Sequence, residues 1–155
     1  MFRSACSNAS KSAWNSRVID LQDLGYAIVQ AVHNFGAAAV VGGAAFMLYM
    51  EPQPAPLQRR FAWLVGFGWG VQALTGMMFG AISHYYYGKF PDIHGIAIAA
   101  LVVKMLCAVS GLSLVALYLR YADKWADSAR HITWQILFVL GATALTAAAF
   151  LRWFS

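Results

Sequence analysis

Charge is scarce in this sequence. Charged residues fill 11% of its 155 positions, against about 25% in ordinary soluble domains. Hydrophobic residues fill 61%, so the composition is that of an integral membrane protein. Acids are the rarest of the charged residues. The six are Asp20, Asp23, Glu51, Asp92, Asp123 and Asp127, and none lies inside an apolar run. Cysteine is nearly absent: Cys6 and Cys107 make neither a disulfide framework nor a CxxC pair, and Cys107 reads as a small packing residue. Nucleophile elbow, phosphate loop and zinc-type spacing are all missing. The first twenty residues lack the apolar core of a signal peptide. The formal charge of +5 comes from scattered bases, which excludes a nucleic-acid surface and suits loops lying against anionic headgroups.

What is present is four long apolar runs. The expected fold is all-α, an integral membrane four-helix bundle, with a polar tail over 1–23 and a four-span domain over 24–155. A span needs about 20 apolar residues, and four fit at 24–49, 61–83, 93–119 and 132–154. Three of the four prolines fall in EPQPAPLQRR between the first two runs, where no helix continues through. The tyrosines of HYYYGKF suit the headgroup level, and Trp134 and Trp153 read as interfacial anchors at opposite ends of the fourth span. With four spans both termini share one side, here called side A. The first and third loops hold Arg59, Arg60, Arg120, Lys124 and Arg130, whereas the second holds Lys89 alone. The positive-inside rule then puts side A, and both termini, outside.

Lys104 is the residue to account for. It lies about ten residues, or roughly 15 Å, into the third span, where a lysine costs on the order of 3 kcal/mol. His33 lies at matching depth in the first span, Thr75 and Gln72 in the second and Thr143 in the fourth, so a polar layer is expected across all four helices. Helical periodicity puts His33 on one face with Gly36, Ala37, Val40 and Ala44, and Lys104 with Ala97, Ala100, Ala108 and Gly111. The second span carries Gly68, Gln72, Thr75, Phe79 and Ser83 on one stripe. Small residues on such faces either close helix–helix seams or leave room for a flat ligand. A neutral imidazole at this depth is a haem ligand, a proton relay or a hydrogen-bonded core histidine. With no embedded carboxylate, Lys104 pairs with an external anion such as a haem propionate, handles a proton, or donates to carbonyls. His84 and His94 flank the side-A loop and could share a ligand; with His33 as an axial ligand, His94 or His84 is the candidate second, and His33 and His94 are the expected metal ligands. His131 reads as a helix-start residue.

HNFGAAAVVGGAAF in the first span resembles the His-x-x-Gly…Gly-Gly helix of CopD-like copper-resistance membrane domains. LVVKMLCAVSGLSLVALYLRY in the third resembles their Leu-x-x-Lys helix, and TGMMFG carries the Thr-Gly seen in the second. The HemJ-type protoporphyrinogen oxidase is a similar four-helix protein in which a first-helix histidine and a third-helix lysine are the important pair. The resemblance covers about His33 to Tyr121 and implies a bacterial inner (cytoplasmic) membrane protein with those roles on His33 and Lys104. The chain departs from both patterns. It lacks the Trp-rich, Arg-Leu stretch of the HemJ type and the Met/His-rich outer loops of a copper importer.

Three function classes follow. The leading one is a redox subunit that binds b-type haem or contacts quinone through His33 and Lys104, with His94, His84 and Thr75 as further contacts. The second is a copper-handling protein using His33, Met77 and Met78. The third is a structural subunit of a larger membrane complex or a homo-oligomer. An oxidoreductase activity belongs to the first class alone.

Overall fold

The structure, a computed structural model, describes residues 3–50, 53–88 and 94–154, with side chains from Leu21 onward except Gln22. Four α-helices follow one another: α1 Arg3–Tyr49, α2 Ala55–Tyr87, α3 Ile96–Tyr121 and α4 Asp127–Phe154. A single 3₁₀ turn, Ala122–Lys124, joins the last two. There is no strand among the described residues. All four helices are long and apolar enough to cross a membrane, α1 through its Asp23–Tyr49 portion. The chain is an all-α, multi-pass membrane four-helix bundle.

The helix ends follow from local chemistry. Pro54 caps α2 in extended conformation and Pro56 sits in its first turn, where a missing N–H costs nothing. Gly88 ends α2 with φ 67°, and its N–H reaches the His84 carbonyl at 2.9 Å. That is a left-handed cap that only glycine adopts without strain. Asp127 opens α4 and Arg152 closes it, each complementing the helix dipole. The expected polar tail is helical from Arg3, because no proline or glycine interrupts the sequence before Gly25. The second helix likewise overruns its expected span at both ends, from Ala55 to Tyr87.

The helices are arranged in a ring in chain order. α1 packs most extensively on α2 and α3 on α4, and these two hairpins meet along the α1–α4 and α2–α3 seams. Glycine sets the closest approach. A Cβ on Gly36 would stand 2.9 Å from Val71 and 3.3 Å from the Gly68 carbonyl, and one on Gly68 would stand 3.0 Å from the Gly36 carbonyl. The α1–α2 crossing is therefore backbone against backbone. On the α2–α3 seam the Trp69 indole lies flat on Gly111, within 2.5–2.9 Å of where a Cβ would be.

The apolar core lies in the side-B half, around Val40, Val65, Trp69, Val115, Trp134 and Leu137. There Arg59 meets Asp123 at 3.7 Å, which puts the first and third loops on one side as the topology requires. The outer surface along the spans is predominantly apolar; Phe35 and Phe67 are 78% and 73% exposed. Such a surface is stable only in contact with lipid. Trp153 is exposed, as an interfacial anchor should be, but Trp134 is 2% exposed and belongs to the core. It is the long apolar side chain that fills the bundle beside Tyr118, with ring centroids 5.3 Å apart.

Candidate functional site

His33, Lys104 and Thr75 come together inside the side-A half. Each reaches the centre from the face that helical periodicity assigned to it: Gly36, Val40 and Ala44 are buried with His33, and Ala97, Ala100 and Gly111 are buried on the face of Lys104, itself half-buried. His33 is 8% exposed and Thr75 4%. Lys104 Nζ lies 3.0 Å from His33 Nε2. His33 Nδ1 lies 2.6 Å from Thr75 Oγ1, and Thr75 Oγ1 lies 2.5 Å from the Val71 carbonyl one turn back.

These contacts fix the tautomer. A threonine hydroxyl has one hydrogen, and the Val71 carbonyl can only accept it. Thr75 therefore accepts from His33, which places the histidine proton on Nδ1. Nε2 is left as the acceptor for Lys104. Donation runs in one direction, from Lys104 through His33 and Thr75 to the backbone of α2. Gln72 supports the array by donating its Nε2–H to the His33 carbonyl, in space that Gly36 leaves open. Phe79 covers the imidazole edge-on at 5.8 Å and stacks on Tyr26 at 6.2 Å.

The other residues read from the sequence lie elsewhere. His84 and His94 are exposed at the side-A end. His84 is nine residues from Thr75, and His94, just before α3, is ten from Lys104, or more than about 12 Å at helical rise. A metal ion holds imidazole nitrogen at about 2.0–2.1 Å, so His33 and His94 do not serve one ion. Met77 sits about 200° around α2 from Thr75 and is 67% exposed, so His33, Met77 and Met78 do not converge either. Thr143 is exposed, and α4 meets the interior through Ala144 and Ala147 instead. The polar layer spans three helices rather than four. No group of three or more His, Cys, Asp or Glu residues suited to a metal occurs among the described residues.

A second polar cluster, absent from the sequence reading, lies in the side-B half. Tyr118 donates to Gln58 Oε1 at 2.5 Å and accepts from Trp134 Nε1 at 3.3 Å. Beside it a half-open cleft of about 640 Å³ is lined by Met47, Gln58, Asp127, Arg130, His131 and Trp134. His131, read as a helix-start residue, lies four residues beyond the start of α4 at Asp127 and contacts Gln135 at 3.2 Å. A tyrosine near the end of an apolar run resembles a headgroup anchor, so only the pairing with Gln58 and Trp134 reveals its inward role.

No family model, curated protein or solved structure matches this chain. Its chemistry is therefore argued from the cluster itself. Lys104 and His33 form a basic pair with no carboxylate beside it among the described residues, hydrogen-bonded to each other. Such a pair can hold one proton at mid-membrane, donate a hydrogen bond to an incoming oxygen, and release or take up that proton.

Proposed function

We propose that the chain is an integral membrane redox subunit in which Lys104 and His33 handle the proton that accompanies electron transfer to a lipid-soluble carrier of the quinone class. The observation that carries this reading is the 3.0 Å contact between Lys104 Nζ and His33 Nε2 at mid-span. A ring oxygen that gains electron density becomes basic. Nζ is a donor placed to stabilise that charge and to give up its proton, and His33 Nε2 supports the remaining amine. Thr75 keeps the imidazole in the orientation and tautomer that let Nε2 accept. The apolar walls strengthen each of these contacts. In this reading the protein sits in a bacterial inner membrane with both termini outside.

A haem reading is supported by one specific feature. Thr75 holds Nδ1–H, which leaves on Nε2 the lone pair that ligates iron. Lys104 Nζ stands where an iron would approach, so ligation requires Lys104 to move aside, toward a propionate in the arrangement its charge favours. A bound b-type haem would supply the electron storage. The resemblance to the HemJ type supports the same pair in a third setting, the withdrawal of hydrogen from a porphyrinogen. Copper handling, the CopD-like alternative, has His33 as its single embedded imidazole and no convergent sulfur.

Absorption spectra of the detergent-purified protein, oxidised and dithionite-reduced, together with organic extraction of bound quinone, distinguish these readings. The quinone reading expects a colourless protein that co-purifies with quinone, and loss of that quinone in Lys104→Met. A reduced α-band lost in His33→Ala selects haem. A colourless protein that neither retains nor binds added quinone defeats the proposal.

A further inference from the structure

We propose that the outer face of α1 is the seam of a homodimer in the membrane, built on Gln30 and Asn34. Both residues are exposed on the Asp23–Tyr49 span, and Asn34 is the neighbour of mid-membrane His33. Gln30 Nε2 donates to Asn34 Oδ1 at 2.8 Å. Among the described residues this is the one bond either side chain makes, which leaves Gln30 Oε1 and the Asn34 amide hydrogens without partners. Hydrocarbon offers none, and polar groups left unsatisfied there cost several kcal/mol each. Every other large side chain on the outer surface at this depth is apolar, such as Phe35, Phe67 and Val109.

The same ridge continues toward side B as Ala38 and Gly42, each four residues on and each exposed. A Cβ on Gly42 would meet nothing within 4 Å. A second helix can therefore approach α1 closely next to the amides. The occupant is a second copy of this chain because each amide carries both donor and acceptor. Under two-fold symmetry the free Asn34 N–H of one copy meets the free Gln30 oxygen of the other, and the reciprocal bond forms at once. No ionisable group lies on the ridge between Gln30 and Gly42 to oppose self-association.

The test uses the full chain in liposomes. Dimer fraction is followed by single-molecule photobleaching as lipid is added, and contact by oxidative crosslinking of Ala38→Cys against Val109→Cys as a lipid-facing control. The wild type is expected to dimerise. Gln30→Leu/Asn34→Leu is expected to weaken dimerisation about tenfold or more, while Asn34→Gln retains it. Ala38→Cys crosslinks to itself and Val109→Cys does not. A monomer at every dilution, a dimer indifferent to the double substitution, or an Ala38→Cys adduct of unequal mass in native membranes each overturns the proposal.

Discussion

Lys104 reaches across the bundle from α3 to meet His33 of α1, the helix diagonal to its own, at 3.0 Å. The contact ties the second hairpin to the first in the side-A half, and it joins two bases rather than an acid and a base. Its energetics are those of an embedded amine whose acceptor is an imidazole lone pair.

Removing one partner should therefore cost more than removing both. His33→Leu leaves Lys104 without its acceptor in an apolar setting, and the expected loss is about 3 kcal/mol. His33→Leu/Lys104→Met removes the amine as well and is expected within about 1 kcal/mol of the wild type. Unfolding in mixed micelles with rising SDS measures both. A double variant that loses the sum of what His33→Leu and Lys104→Met lose singly would show that the pair is not coupled.

Thr75 is expected to act through the tautomer. Thr75→Val keeps the shape but leaves Nδ1–H of His33 unsatisfied, at a cost of about 1–3 kcal/mol. Thr75→Ser should restore it. In ¹⁵N-histidine spectra the wild type is expected to carry its proton on Nδ1, and Thr75→Val to populate the other tautomer. A wild-type signal from Nε2–H would reverse the direction of the array.

The expected topology was legible because apolar length and proline punctuation both act locally. The matched depth of His33, Thr75 and Lys104 was legible too, since rise per residue is fixed. Rotation about a helix axis was less so. α4 offers threonines and alanines on several faces, and packing against Val40 and Val41 at Gly141 turned Thr143 outward. Trp134 misled because an amphipathic aromatic ring near a span end suits both the headgroup level and a buried hydrogen bond, and the same ambiguity hid the inward role of Tyr118. The helical tail before Asp23 carries no apolar periodicity to announce it.

Gly111→Ala tests the α2–α3 seam. The added methyl would fall 2.5–2.9 Å from the Trp69 ring, and overpacking of this kind costs about 1–3 kcal/mol. Trp69→Leu/Gly111→Ala should recover part of that loss, because the smaller side chain vacates the space. The SDS midpoint reads both; if the double variant unfolds at the sum of the two single losses, the contact is not what limits Gly111.

Tyr118→Phe removes the donor to Gln58 and the acceptor for Trp134 together. Buried Trp134 and half-buried Gln58 then each lose a partner, and a loss of about 2 kcal/mol is expected. Tyr118→Phe/Gln58→Leu should lose less than Tyr118→Phe alone. The same SDS titration decides, with tryptophan emission reporting whether Trp134 stays in an apolar setting.

The pairing of α1 with α2 and of α3 with α4 bears on how the protein is made. A chain synthesised from its N-terminus delivers the first hairpin before the second. His33, already oriented by Thr75 within that first unit, is in place when α3 arrives. The lysine that would be the most costly passenger of insertion thus enters beside a waiting acceptor. Order of synthesis supplies what the third segment alone lacks, and two half-chains divided at the Gly88–Gly95 connection carry complementary halves of one site.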